Sequence, residues 1–215
     1  MNHADILGGL LAYQNTDSKC YGIVVGIVTN NQDPDNMHRV KVRFPWLSPD
    51  EDSNWARVAT PMAGNGRGIY FLPEVDDEVL VAFEHGSIEH PYVVGSLWNG
   101  KDQAHENNSD GANNNRGIKS RSGHVIRLCD RSGSESIEII DKTGNNKITI
   151  ETSGNKILIE AAGDISITSQ SGKITLSAVG IELKSRANVD ITANSQIKIE
   201  ANAQTNIKGA LVNIN

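Results

Sequence analysis

From residue 99 to residue 215 the chain contains neither an aromatic residue nor a proline. Its three Trp, four Tyr and three Phe all lie at or before Trp98, and its six Pro at or before Pro91. Such a one-sided absence marks a domain boundary, because the second half must fill its interior with aliphatic side chains alone. Without proline it also keeps every backbone N–H free to join a ladder. Cysteine is scarce: Cys20 and Cys129 stand far apart with no CxxC or zinc-type spacing, which excludes a disulfide framework and a recognisable metal motif. Both are expected to be buried free thiols. No window approaches ~18 consecutive apolar residues, and the N-terminal MNHADILGGLLAY lacks the basic flank and long apolar stretch of a signal peptide. The expectation is synthesis and retention in the cytoplasm unless another machine exports the chain. Positive charge is in deficit, with 20 Lys and Arg against 26 Asp and Glu, a net charge of −6 and a pI near 5.5. That balance argues against a protein that grips phosphate backbones.

What is present is globular in composition, 38% hydrophobic over 215 residues, enough for one or two domains. In the first half β-branched runs recur between turn signals: CYGIVVGIVT (20–29), HRVKVRF (38–44), WARVAT (55–60), EVLVAFEH (78–85) and PYVVGSLW (91–98). These read as strands, and the intervening NNQDPDN, PWLSPDEDSN and AGNGRG supply the residues that reverse a chain. Five short strands without a long helix predict a small Greek-key barrel of the OB kind over residues 20–98. A short amphipathic helix over residues 4–13 is also expected. The Asn-, Gly- and Asp-rich stretch that follows reads as an exposed linker over residues 99–120, too short to hold a catalytic domain.

From residue 147 a phrase repeats. Apolar pairs fall at Ile148 and Ile150, Ile157 and Ile159, Ile165 and Ile167, Ile174 and Leu176, Ile181 and Leu183, Val189 and Ile191, Ile197 and Ile199, and Val212 and Ile214, with Ile207 marking the weakest repeat. Up to Ile197 half of the steps are eight residues and the others seven or nine. A spacing of two within each pair places both side chains on one face of a strand, while Thr, Ser, Lys and Glu take the other. Gly154, Gly163, Gly172 and Gly180 occupy the gaps, where a corner needs a residue tolerant of positive φ. A fixed short period signals a solenoid, here over residues 121–215. The left-handed β-helix of acyltransferases uses six residues, and the calcium-binding roll needs Gly-Gly-x-Gly-x-Asp in nine; neither matches. Each repeat offers only two aliphatic side chains, so one chain cannot close a core. Three copies wound about one axis would, with the aliphatic pairs filling a narrow prism as a buried trimer core, at ~1.5–3 kcal/mol for each side chain buried.

DPDNMHRVKVRFPW (33–46), WARVATPMAGNGRGIYFLPEVDDEVLVAFEHG (55–86), PYVVGSLWNG (91–100) and RSGHVIRLCD (121–130), followed by the octads, resemble the phage baseplate assembly protein V and VgrG spike family. The resemblance implies an all-β, homotrimeric central spike of a contractile injection machine: an OB-fold collar followed by an intertwined triple-stranded β-helix, a structural needle that pierces the target membrane when the sheath contracts. It implies no enzyme and no cofactor. Two departures stand out, His38-Arg39-Val40 where the family usually has Gly-Arg-Val, and Asp76-Asp77 where it has Gly-Asp. Only about 20 residues precede the first strand, so residues 1–19 are expected to contact a separate hub protein. The tail ends in KGALVNIN without the His-x-His apex of some phage spikes, which points to Leu211, Val212 and Ile214 as the seat of a separate PAAR-type tip protein. On this reading assembly occurs in the cytoplasm as part of the baseplate, with delivery outside or into the target on firing.

Among the six histidines only EHGSIEH (84–90) forms a cluster, and its place in a turn between strands makes a solvated turn the default over a metal site. GNGRG (64–68) has no Lys-Ser/Thr and no following helix, and reads as a loop rather than a phosphate cradle. Trp46 and Trp55 flank an acidic loop, SPDEDS (48–53), which repels nucleic acid. The Glu and Asp residues are too dispersed for a glycosidase pair. The competing reading is a trimeric fibre or adhesin that binds a surface glycan, which would call for an aromatic platform near the C-terminus; none follows Trp98.

Overall fold

A computed structural model describes residues 19–48 and 50–214. The helix read over residues 4–13, and the hub-contacting extension apart from Lys19, lie outside the described residues. The chain divides into two compact units, the first ending at Ala162 and the second running over Gly163–Asn215.

The expected strands of the first half form. They are β1 (Ile23–Asn30), β2 (Arg39–Arg43), β3 (Ala56–Val58), a small hairpin of β4 (Ala63–Gly64) and β5 (Arg67–Gly68), β6 (Glu78–Phe83) and β7 (Pro91–Ser96). Five of them close a barrel in the order β1-β2-β3-β7-β6, antiparallel everywhere except the β3–β7 seam. Alternation explains the closure. Val40 and Val42 of β2, Val79, Val81 and Phe83 of β6, and Val93 of β7 point inward with Val28, Phe44 and Ala56 and are all buried. Gly26 lets β1 cross this core, since a Cβ there would overlap Cγ1 of Val42.

The β1–β2 loop is locked by a buried carboxylate. Asp33 accepts a forked pair of bonds from Arg39, Nε to Oδ2 at 2.9 Å and Nη2 to Oδ1 at 2.7 Å. It also accepts the backbone N–H groups of Asp35, Met37 and Arg39. The Arg39 bonds, reinforced by those backbone donors, hold the Asp33 carboxyl well below the usual carboxylate range, against the opposing effect of desolvation.

Both departures from the family pattern fall on left-handed backbone, with φ of 57° at His38 and 75° at Asp76. Glycine is the unstrained residue in that region, and His and Asp are among the few others that tolerate it. His38 gains an edge-to-face contact with Tyr70 at 4.9 Å between ring centroids. Cys20 and Cys129 are both free, and each is only half-buried rather than buried as expected.

Beyond the barrel the chain pairs with itself. Strands β8 (Asn115–Lys119), β9 (Val125–Cys129), β10 (Ser136–Ile140), β11 (Lys147–Glu151) and β12 (Lys156–Glu160) form one antiparallel meander. Its first strand begins inside the stretch read as linker. The two octads that open the repeat, Ile148 with Ile150 and Ile157 with Ile159, are the last two strands of this sheet.

Candidate functional site: an unpartnered aliphatic ladder

The register of the meander aligns its aliphatic residues into two columns on one face. One runs Ile118, Ile126, Ile139, Ile148, Ile159 across the five strands, and the other Leu128, Ile137, Ile150, Ile157. In an antiparallel sheet the residues directly opposite one another are the contacting pairs, so each column is a continuous apolar stripe. Nothing covers it: these nine side chains are 41–68% exposed. The other face carries the charges, with Lys147 and Glu160 opposite one another and paired at 2.9 Å, and Arg127 bonded to Glu138 of the next strand at 3.3 Å. The sheet is thus polar on one face and leaves its aliphatic face without a second layer.

The octad pattern places Ile148, Ile150, Ile157 and Ile159 on the ladder and misses Ile118, Ile126, Leu128, Ile137 and Ile139. The signal is present, because Ile126 with Leu128 and Ile137 with Ile139 have the same spacing of two. They escape the pattern because the turns between them are longer, so the steps from Ile126 to Ile137 to Ile148 are eleven residues and not eight. Those turns are built by side chains. At the β10–β11 turn Asp141 accepts bonds from the Thr143 hydroxyl and from the side-chain and backbone N–H of Asn146, which lower its pKa to about 2.

In the second unit the chain changes character. Among its described residues no strand is formed and no backbone–backbone hydrogen bond is made. Extended runs alternate with bends at residues 170–172, 179, 186–187, 194–195, 202–203 and 210–211. The corners thus repeat with the period of the apolar pairs.

Within the single chain none of the aliphatic pairs is buried. The first members, Ile165, Ile174, Ile181, Val189 and Ile197, are 51–57% exposed. The second members, Ile167, Leu176, Leu183, Ile191 and Ile199, are more open still, at 65–72%. Ile207, Leu211, Val212 and Ile214 are exposed as well, and so are Ile148, Ile150, Ile157 and Ile159 on the meander. The physical reason is that one chain supplies a single wall. Two side chains per layer, with no layer of the same chain opposite them, have nothing to exclude water from their outer sides. The regular offset between first and second members shows that every layer repeats one local geometry. On the opposite side of the run, Glu182 pairs with Lys184 and Lys198 with Glu200. Extended backbone with no ladder of its own, bearing isoleucines open to water, has neither the hydrogen bonds nor the burial that offset the entropy of ordering it.

The other residues singled out by sequence remain apart from the ladder. Glu84 to Gly86 form a short 3₁₀ turn in which the Tyr92 hydroxyl donates to Glu84 at 3.0 Å, and His90 Nδ1 lies 3.3 Å from the Ser87 hydroxyl. Among the described residues no three His, Cys, Asp or Glu converge as metal ligands. GNGRG forms the β4–β5 hairpin, with Gly66 and Gly68 at positive φ. Arg39 and Lys41 both lie over the ring of Trp55, at 5.9 and 5.7 Å from its centre, so that ring is occupied by cations of the chain itself. No helix among the described residues is long and apolar enough to cross a membrane.

Comparison with known proteins meets this architecture at the barrel. Residues 24–98 match the family described as the Type VI secretion system/phage-baseplate injector OB domain. The chain is 30% identical over 141 residues to the Type VI secretion system spike protein VgrG1b of Pseudomonas aeruginosa, a stretch covering 60% of this chain and 19% of that protein. It is 38% identical over 74 residues to the spike protein VgrG3 of Vibrio cholerae, covering 33% of this chain and 7% of the relative. The chain therefore spans a fifth or less of the length of these relatives. The resemblance to the baseplate V and VgrG proteins, read first from the motifs, is borne out.

Proposed function

We propose, from the premise that residues 24–98 are an OB domain of the Type VI secretion system/phage-baseplate injector family, that the chain is a structural subunit of the central spike of a contractile injection machine. Three copies form a rigid needle below an OB collar, and the needle breaches the target membrane when a sheath contracts. The observation that carries this reading is the unpartnered ladder: two aliphatic columns on the meander, continued by extended octads that make no backbone ladder.

The two parts need different things from their partners. The meander pairs its strands within the chain, leaving open only the edges of β8 and β12, and lacks a cover for its aliphatic face. The tail lacks both cover and ladder, and other copies must supply both by winding around it. Three walls close the smallest prism into which pairs of isoleucines from each wall can point. The absence of aromatics fits the narrow bore, and the mixed Lys and Glu of the outward side oppose lateral aggregation. The function is mechanical and uses no cofactor; its working residues are the aliphatics that assembly buries rather than a catalytic group. We place a separate hub protein at the N-terminal end and a PAAR-type tip protein on Leu211, Val212 and Ile214. Assembly takes place in the cytoplasm as part of the baseplate.

Light scattering on the purified chain tests this directly. The expected result is a single species of three times the chain mass of 23.2 kDa. A stable monomer would remove the needle.

A further inference from the structure

Residues 99–114, read from sequence as a linker, are pinned to the sheet. The Glu106 carboxylate accepts from Asn115 Nδ2 at 3.0 Å and from Arg127 Nε at 3.1 Å, and these bonds lower its pKa. His105 lies against Gly117, where a Cβ would come within 3.3 Å of its Nε2. Gly117 and Arg127 are register partners, flanked by the Arg116–Leu128 and Ile118–Ile126 pairs. By strand alternation Gly117 and Arg127 therefore face away from the aliphatic ladder.

Folding the segment over this outward face leaves a cleft of ≈ 540 Å³ beside Trp98, within the range of about 300–1,000 Å³ in which small-ligand sites fall. Its chemistry is unusual for a loop. The Trp98 side chain is 70% exposed. Around it stand Asn107, Asn108, Asn113, Asn114 and Asp110. The loop's own bonds use acceptors: Asn108 Oδ1 takes the Asn113 N–H at 2.6 Å, and one Asp110 oxygen takes the Ala112 N–H at 3.0 Å. Within the described residues the side-chain carboxamides of Asn113 and Asn114, the Nδ2 groups of Asn107 and Asn108 and the Trp98 indole N–H make no hydrogen bond. A flat aromatic face beside amides that both donate and accept matches a pyranose, which offers one face of C–H groups and a rim of hydroxyls that both donate and accept. Charge in the cleft is nearly balanced, because Glu106 is paired with Arg127 and Asp110 shares the lining with Arg131. The preference is therefore for a neutral ligand, and the acidic chain disfavours a phosphate backbone.

We propose that this cleft binds a neutral oligosaccharide, one ring stacked on Trp98 and its hydroxyls bridged by Asn113, Asn114 and Asp110. The local site does not depend on the spike reading, but its display does. With the ladder turned to the axis the cleft faces outward, and an assembly of three chains presents it three times, which raises avidity for a repeating glycan.

The test uses the full chain and three probes, chitotetraose, maltotetraose and mannotriose, followed by saturation-transfer NMR and by Trp fluorescence titration, with light scattering on the same samples. Transfer to at least one probe is expected, with affinity falling at least about tenfold in Trp98→Ala and largely retained in Trp98→Tyr, which keeps an aromatic face should the alanine variant assemble poorly. Asn114→Ala should weaken binding in the same direction. No transfer to any of the three probes, or transfer unchanged in Trp98→Ala, overturns the site. A monomer that binds sugar would keep the cleft and remove the needle; a trimer that binds none would do the reverse.

Discussion

Replacing Ile174 with Asp tests the inward face at the middle of the octad array. Ile174 is 54% exposed in the single chain, so the proposed trimer would have about half of its side chain left to bury. At ~1.5–3 kcal/mol for complete burial this amounts to roughly 1–1.5 kcal/mol per chain, or roughly 3–5 kcal/mol over three copies. Burying a carboxylate costs several kcal/mol more per ion, so three at one level of the axis exceed roughly 10 kcal/mol. The expected result at pH 8 is a chain that no longer elutes as a trimer, or a trimer that protease cuts between Gly163 and Gly180. The pH dependence has a definite sign. Burial and mutual repulsion raise the pKa of the introduced carboxyl in the assembly above its value in the free chain. Assembly of the variant is therefore least impaired below the free-chain pKa of about 3.9 and is lost as pH rises through the raised value. Light scattering at pH 4 and pH 8 reads this difference directly. Ile174→Val, which keeps the surface apolar, should assemble at both pH values with a loss of about 0.5–1.5 kcal/mol per chain. A variant Ile174→Asp that is trimeric at pH 8 and melts with the unaltered protein would refute the assignment of the inward face.

Other outcomes follow from the barrel and the turns. Gly26→Ala drives a methyl group into Val42 and should destabilise the barrel by about 1–3 kcal/mol in a denaturant titration. Asp76→Gly relieves left-handed strain at a φ of 75° and should raise stability, by up to about 1 kcal/mol once the added freedom of the unfolded glycine is set against it. Asp141, held at about 2 against an ordinary 3.8, contributes stability that is complete above pH 3.8 and is lost as pH falls through 2. Urea midpoints of the unaltered protein should thus drop across that window more steeply than those of Asp141→Asn, and parallel curves would count against the turn network.

The sequence by itself determined the repeating element. A pair of aliphatics two residues apart can share a face only in extended chain, and the bends of the second unit fall in the gaps between those pairs, as a local period requires. It also determined the barrel strands, since alternation within one strand is a short-range property that survives without knowledge of partners. The two departures from family glycine could be named from sequence, but their left-handed backbone could not. What the tertiary structure decided is pairing. No local pattern indicates that β3 meets β7 in parallel, or that Ile126, Ile139, Ile148 and Ile159 form one column despite unequal turn lengths. The same holds for the outward cleft, where Trp98, the last aromatic of the chain, meets the asparagines of a segment that sequence presented as linker. The fold over the sheet that brings them together is held by Glu106 and Arg127, 21 residues apart. Strand period is set by the geometry of adjacent residues, whereas contacts across such loops are set by register and packing, which one-dimensional spacing does not encode.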